Sequence, residues 1–308
     1  MATAPVLTRL LSSCISCANS AGGIIRNILR GGNLGVVMKG FDDPQTEADR
    51  QAQRCITTSL SRKFPNITII GEEDISSQVT DESDAVVVTE ETNEVLQMTC
   101  PQKYEKIEER QIVVWVDPLD GTKEFTEGFV THVTVLIGIS IEGEAVAGII
   151  HQPFCDDPAQ GSGRTIWGMV GLGVYGHVPI TLPRTTNAGF CVAITRSHFN
   201  ELVQGAVDAV NPDHILREGG AGNKYLKVIE KHADAYLYPT KGTKKWDTCA
   251  GEAILKALGG TTTDCVGKPI QYLPSQSVHN LSGVLATLQG HQQLLDKIPQ
   301  EIKARLPQ

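Results

Sequence analysis

Apolar residues at Val6, Leu7, Leu10, Leu11, Ile15, Ala18, Ile25, Ile28 and Leu29 recur at three- and four-residue steps, so the first thirty residues read as one amphipathic helix that Gly31-Gly32 ends. A second helix opens after Asp43, a good cap, with Pro44 in its first turn. Its buried stripe runs through Ala48, Ala52, Cys55, Ile56 and Leu60 to about Phe64. The period then changes. Residues 67–70 predict a short buried strand that delivers Gly71-Glu72-Glu73-Asp74, and residues 75–91, acidic and aperiodic, predict a solvated excursion. Residues 112–116 are β-branched and apolar and predict a buried strand; Pro118 is expected to end its ladder and force a turn.

Residues 132–141 and 144–150 predict a hairpin, because Glu142-Gly143 can supply the positive φ of a tight turn. Residues 154–163 read as a loop insertion, 164–175 as two short strands around Gly171, and 179–189 as a boundary between lobes. Beyond it strand and helix alternate: a strand at 191–195, a helix from near Ser197, glycines at 219, 220 and 222 before another helix, a strand at 235–238 and a helix at 247–258. The expectation is an α+β lobe over residues 1–180, with long helices on largely antiparallel strands, and an α/β lobe over residues 181–308.

A chain of 308 residues with 41% hydrophobic and 20% charged residues can bury a full core. Its net charge of -8 argues against a nucleic-acid surface, which needs dense Lys and Arg. An anionic substrate would need positive charge supplied locally, as a bound divalent metal does. The eight cysteines include no paired Cys-x-x-Cys sets of the zinc-site kind, and Cys14 and Cys17 fall in a helical run where core packing is expected. Neither a basic leader with an apolar stretch nor a segment of membrane-spanning length is found, which predicts the reducing cytosol and no membrane partner. The sequence leaves oligomeric state open.

The candidate chemistry centres on WVDPLDGT, Trp115 to Thr122, where a buried strand runs into two aspartates. Carboxylates that close raise each other's pKa unless a cation stands between them, and hard oxygen ligands on a tight turn suit Mg²⁺. Glu72, Asp117, Asp120 and Asp247 all fall at element boundaries, where active sites gather. Each also has a plainer reading. Asp247 could be a helix cap contributing roughly 0.5–2 kcal/mol, Glu72 a solvated acid, and Asp117-Pro118 only a turn.

Three marks in order, Gly71-Glu72-Glu73, Asp117-Pro118-Leu119-Asp120-Gly121-Thr122 and Trp246-Asp247, resemble the inositol monophosphatase superfamily of Mg²⁺-dependent, lithium-sensitive phosphomonoesterases. The longer strings TIIGEED from Thr68, VVWVDPLDGTKE from Val113, TRSH from Thr195, GGAGNK from Gly219 and KKWDTCA from Lys244 resemble the branch that acts on 3'-phosphoadenosine 5'-phosphate. The resemblance implies a layered αβαβα sandwich and hydrolysis of that nucleotide to AMP and phosphate. It also implies action on 3'-phosphoadenosine 5'-phosphosulfate and some inositol bisphosphates, and inhibition by Li⁺.

Carried over by position, the resemblance makes Glu72, Asp117, Asp120, Asp247 and the Leu119 carbonyl ligands of two or three Mg²⁺ ions, with Asp117 bridging two of them. It makes Asp49 and Thr122 the pair that activates water, and Thr195, His198, Gly220 and Lys224 the nucleotide site. Plainer readings stand beside these: Asp49 as an exposed helical acid near Arg50 or Arg54, or as half of a Thr46–Asp49 capping pattern; Lys224 as a solvated helix lysine; His198 as a surface histidine. An inositol phosphatase with the same chemistry, and a non-catalytic nucleotide sensor, are the competing functions. The intact acid set counts against the sensor.

Overall fold

The structure, a computed structural model, describes residues 4–40, 43–73, 86–157, 161–176 and 189–307. Helix α1, Val6–Gly31, buries Leu7, Leu10, Leu11, Ile15 and Ile25 on one face, and Gly32, at φ 76°, stops it in the left-handed region that glycine tolerates. The second helix begins later than the expected Asp43 cap and Pro44 first turn. Asp43–Gln45 (β2) pairs with Val37–Gly40 (β1), so Pro44 sits in a strand. Thr46 then caps helix α2, Glu47–Lys63.

Thr68–Gly71 (β3), the short helix Asn93–Leu96 (α3), Ile112–Asp120 (β4) and the short helix Thr122–Glu127 (α4) follow. Thr134–Ile141 (β5), Glu144–Asp157 (β6), Gly161–Met169 (β7) and Gly173–Tyr175 (β8) complete a six-stranded sheet in chain order, with β3 parallel to β4 and the rest antiparallel. Glu142 at φ 54° and Gly143 at φ 82° make the two-residue turn between β5 and β6. Three expectations need correction here. Residues 132 and 133 precede β5, because His132 ends a single helical turn at Val130–His132 and Val133 leads out of it. Pro118 does not end its strand, since β4 resumes beyond a bulge. Of residues 154–163, expected as an inserted loop, 154–157 and 161–163 are instead the ends of β6 and β7, which pair as far as Asp157 and Gly161; residues 158–160 lie outside the described residues.

Cys191–Thr195 (β9), helix Glu201–Val210 (α5), His214–Glu218 (β10), helix Ala221–Ile229 (α6) and Ala235–Tyr238 (β11) build the alternating second half. Helix α5 starts at residue 201 rather than near Ser197, because the Asn200 side chain accepts the Val203 N–H at 3.0 Å. Thr243–Lys244 (β12), helix Lys245–Ala257 (α7), Thr261–Thr263 (β13), His279–Asn280 (β14), Val284–Thr287 (β15) and helices His291–Lys297 (α8) and Gln300–Arg305 (α9) end the chain. The second sheet runs β10-β9-β11-β15-β13.

The layers are therefore α1 and α2, the six-stranded sheet, α6 and α7, the five-stranded sheet, and α5 with α8 and α9. The αβαβα order holds. Strand β4 shows why: Val114 and Val116 pack toward α1 and α2, while Val113 and Trp115 pack into the core shared with α6, α7 and the second sheet. A strand buried on both faces reads as a continuous apolar run. Glycines let α7 lie close on this sheet. A Cβ on Gly138 would stand 2.5 Å from the Cys249 Cβ, and one on Gly148 would stand 2.2 Å from the Ala250 carbonyl oxygen. That approach brings the start of α7, with Asp247, to the exit of β4.

Cys14 and Cys17 are buried in α1, and burial pushes the Cys17 thiol up to about 12, so it is inert at neutral pH. Among the described residues no helix is long and apolar enough to cross a membrane. Asp74, most of the acidic excursion and the 179–188 part of the expected lobe boundary lie outside the described residues.

Candidate active site

Strand β4 builds the first wall. Asp117 pairs with Leu136, and the ladder then skips residues 118 and 119 and resumes with Asp120 opposite Thr134. Proline has no N–H to give, so a bulge is the way a strand accommodates it. The Leu119 N–H donates to Asp117 Oδ1 at 3.0 Å, and the Leu119 side chain is buried while its carbonyl oxygen stands 3.0 Å from Thr122 Oγ1. Asp120 is held from the second half of the chain. The Ala221 and Gly222 amides at the start of α6 each donate to it at 2.8 Å, and Thr134 Oγ1 donates at 2.7 Å. Amides of a first helical turn lack intrahelical partners, so a carboxylate there satisfies them.

Glu72 leaves the end of β3, and its N–H donates to the Val116 carbonyl at 3.0 Å, which places it beside Asp117. Asp247 is the third residue of α7, and its carboxylate accepts the Lys244 N–H at 2.7 Å. The capping reading and the cleft position are both true of this residue. Burial first, then the charges of Glu72, Asp120 and Asp247, hold the Asp117 carboxyl well above the usual range. Asp247 is pushed up to about 7 by burial and by Glu72 and Asp120. Burial also raises Asp120, against the Lys224 ammonium and its three donors. Glu72 Oε1 takes Lys39 Nζ at 3.2 Å and Lys244 Nζ at 3.4 Å. Among the described residues no three Asp, Glu, His or Cys side chains are already converged on one cation position. Yet four carboxylates crowded around one corner, each disfavouring its neighbours' charge, are a donor set that fits a hard divalent cation.

Behind this corner, Thr122 Oγ1 donates to Asp49 Oδ1 at 2.9 Å. Asp49 is fully buried rather than an exposed helical acid. Its second oxygen, Oδ2, accepts the Thr46 N–H at 2.8 Å and the Thr46 hydroxyl. The same carboxylate thus closes the N-terminus of α2 and reaches Thr122. Burial outweighs these hydrogen bonds and pushes Asp49 up to about 7.

Another wall comes from the second sheet and α6. The buried Thr195 Oγ1 accepts the N–H of the exposed His198 at 3.1 Å. Gly220, at φ 68°, is the turn into α6; a Cβ there would stand 2.7 Å from the His132 carbonyl and 2.8 Å from Asp120 Oδ2. Lys224 is buried rather than solvated, donates to the Gly220 carbonyl, and lies 5.4 Å from the Tyr236 ring centre.

These groups surround one cleft of about 350 Å³, lined by Glu72, Asp117, Leu119, Asp120, Thr122 and Asp247 together with Thr195, His198, Gly220 and Lys224. Asp49 does not line it and is joined to it through Thr122. Sequence reasoning missed Tyr236 and Tyr238, which also line it; their two-residue spacing on β11 puts both on one face and was a readable signal. It also missed Lys39, for which distance in the chain gave none. Glu73, adjacent to Glu72, is buried away from the cleft; its N–H donates to Gln53 Oε1 at 3.0 Å and its carboxylate takes Lys39 at 2.8 Å.

The sequence matches the Inositol monophosphatase family over residues 7–303, and the chain belongs to that family. It is a phosphatase. It is 47% identical to human 3'(2'),5'-bisphosphate nucleotidase 1, over 98% of this chain and 97% of that protein, and 40% identical to the Dictyostelium discoideum protein of the same name, over 94% and 96%. The extragenic suppressor protein suhB of Bartonella henselae superposes with a TM-score of 0.66 at 22% identity, covering 92% of this chain and 95% of that one, which shows the shared fold.

Proposed function

We propose that this chain hydrolyses the 3'-phosphate of 3'-phosphoadenosine 5'-phosphate to give AMP and phosphate, with Mg²⁺ held by Glu72, Asp117, Asp120, Asp247 and the Leu119 carbonyl. One observation carries the reading: a crowded carboxylate corner and a buried lysine line the same cleft. The extensive identity to bisphosphate nucleotidases supports the substrate class. Two or three Mg²⁺ ions bound there offset the charge on the transferring phosphoryl group.

The chain's own residues move the proton. A threonine hydroxyl is too weak a base alone, so Thr122 accepts a proton from the attacking water as it passes its own to Asp49. Burial equips Asp49 for this, since a base pushed up to about 7 binds that proton well near neutrality. Lys224 supplies a fixed positive charge for the phosphate that does not react, while Thr195, His198 and Gly220 orient the nucleotide.

The same reading includes 3'-phosphoadenosine 5'-phosphosulfate and some inositol bisphosphates as further substrates, and inhibition by Li⁺ competing for a Mg²⁺ position. Phosphate release is to be measured with Mg²⁺ from the bisphosphate nucleotide, inositol 1-phosphate and inositol 1,4-bisphosphate, with a Li⁺ titration. The expected result is a larger kcat/KM for the nucleotide and a rate that falls with Li⁺. No release from the nucleotide by folded, Mg²⁺-loaded protein overturns the proposal, and a preference for the inositol esters transfers it to an inositol phosphatase.

A further inference from the structure

His132 ends the single turn before β5, and the reaction above makes no use of it. Its ring is bonded at both nitrogens. Nδ1 accepts the Gly219 N–H at 3.1 Å, and Nε2 lies 3.2 Å from Glu218 Oε2. An acceptor at Nδ1 needs a lone pair there, so the ring proton is on Nε2, where it donates to the Glu218 carboxylate. The main chain adds a third contact, because the His132 carbonyl lies where it forbids a side chain on Gly220. Phe129 stacks on the imidazole with ring centres 6.2 Å apart.

His132 therefore meets Glu218, Gly219 and Gly220 in succession, and the next two amides in the chain are the ones that hold Asp120. Glycines alone would leave such a turn free to sample many conformations. We propose that His132 is a positioning residue for the cleft: one imidazole, bonded to Gly219 and Glu218, fixes the turn that aims the Ala221 and Gly222 amides at Asp120 and presents Gly220 to substrate. Its catalytic consequence rests on the phosphatase reading above. The charged groups around the ring are Glu218 and Lys227 from β10 and α6, Glu124 from α4, and Arg196. Burial outweighs them and lowers the imidazole pKa, which keeps the accepting lone pair available at neutral pH.

Two variants separate bracing from bulk. In His132→Asn, Oδ1 stands as many bonds from the backbone as Nδ1 did, so the Gly219 bond can persist while the Glu218 bond is lost. In His132→Leu both are lost. Amide hydrogen exchange over residues 218–222 is read together with Mg²⁺-dependent kcat and KM. The Leu variant is expected to exchange there about tenfold faster or more and to lose roughly tenfold to a hundredfold in kcat, with Asn recovering most of both. If His132→Leu does not fold, His132→Phe, which keeps a ring against Phe129 but removes both bonds, takes its place with the same expectation. Exchange and kcat both within about twofold of wild type in the bond-deleting variant, or an Asn variant as impaired as Leu, would overturn the proposal. Wild-type protein that hydrolyses no phosphoester would sink the functional reading while the exchange comparison still decides the brace.

Discussion

Asp117 lies on β4 beside Glu72 and Asp247, and burial together with the charges of Glu72, Asp120 and Asp247 makes it harder to ionise. Three residues further along the same strand, Asp120 receives two helix-start amides and a threonine hydroxyl and has the Lys224 ammonium nearby. The two aspartates are equally buried in practice, yet one is satisfied by the protein and the other is surrounded by its own kind. A buried carboxylate costs free energy unless its charge is met. Asp120 has that charge met within the fold, and Asp117 marks where it must arrive from outside.

The sharpest way to break the comparison is Asp117→Asn. Losing this oxygen donor is expected to cut kcat/KM for the nucleotide by at least about a thousandfold, while thermal unfolding of the metal-free variant shows equal or greater stability than wild type. Unimpaired turnover, or a collapsed fold, would remove the distinction drawn here.

Asp49→Asn follows, with kcat expected to fall by roughly a hundredfold to a thousandfold at little change in KM. It also tests the burial of that carboxylate. The folded group titrates at about 7 and an unfolded aspartate near 3.9, so the folded state binds this proton more tightly. Its stabilising share is complete below about pH 4 and is lost as pH rises through about 7. Urea unfolding of metal-stripped protein at about pH 4.5 and about pH 7.5 checks the sign: wild type loses more stability on going up than the Asn variant does.

Gly220→Ala addresses the satisfied side. A methyl at positive φ against the His132 carbonyl and Asp120 is expected to destabilise by about 1–3 kcal/mol, read by chemical denaturation, and to weaken the amide grip on Asp120. Lys39→Ala is the mildest. Its ammonium bridges Glu72 and Glu73 from a partly exposed position, so its removal is expected to change stability by at most about 1 kcal/mol in the same assay.

Much of this arrangement was legible in the residues. The three- and four-residue steps of α1, the continuous apolar run of β4 and the Glu142-Gly143 turn carry their conformations locally. The acid marks could be placed at element ends because β3 and β4 announce themselves. What could not be read depended on partners distant in the chain. Nothing around Pro44 says that β1 will pair with it, and Pro118 reads as a stop because only the register of β5 shows that the ladder resumes. Asp49 illustrates the limit best. Local spacing identified a cap for α2, the resemblance suggested a proton acceptor, and one carboxylate with two oxygens serves both contacts, which only the fold brings together.

The bulged β4 lies between β3 and β5, inside the first sheet rather than at its margin. Interior strands are among the last segments to open, and Asp117 and Asp120 lie on one of them. Warming the protein toward its melting point would leave these two carboxylates in place until the sheet itself gives way.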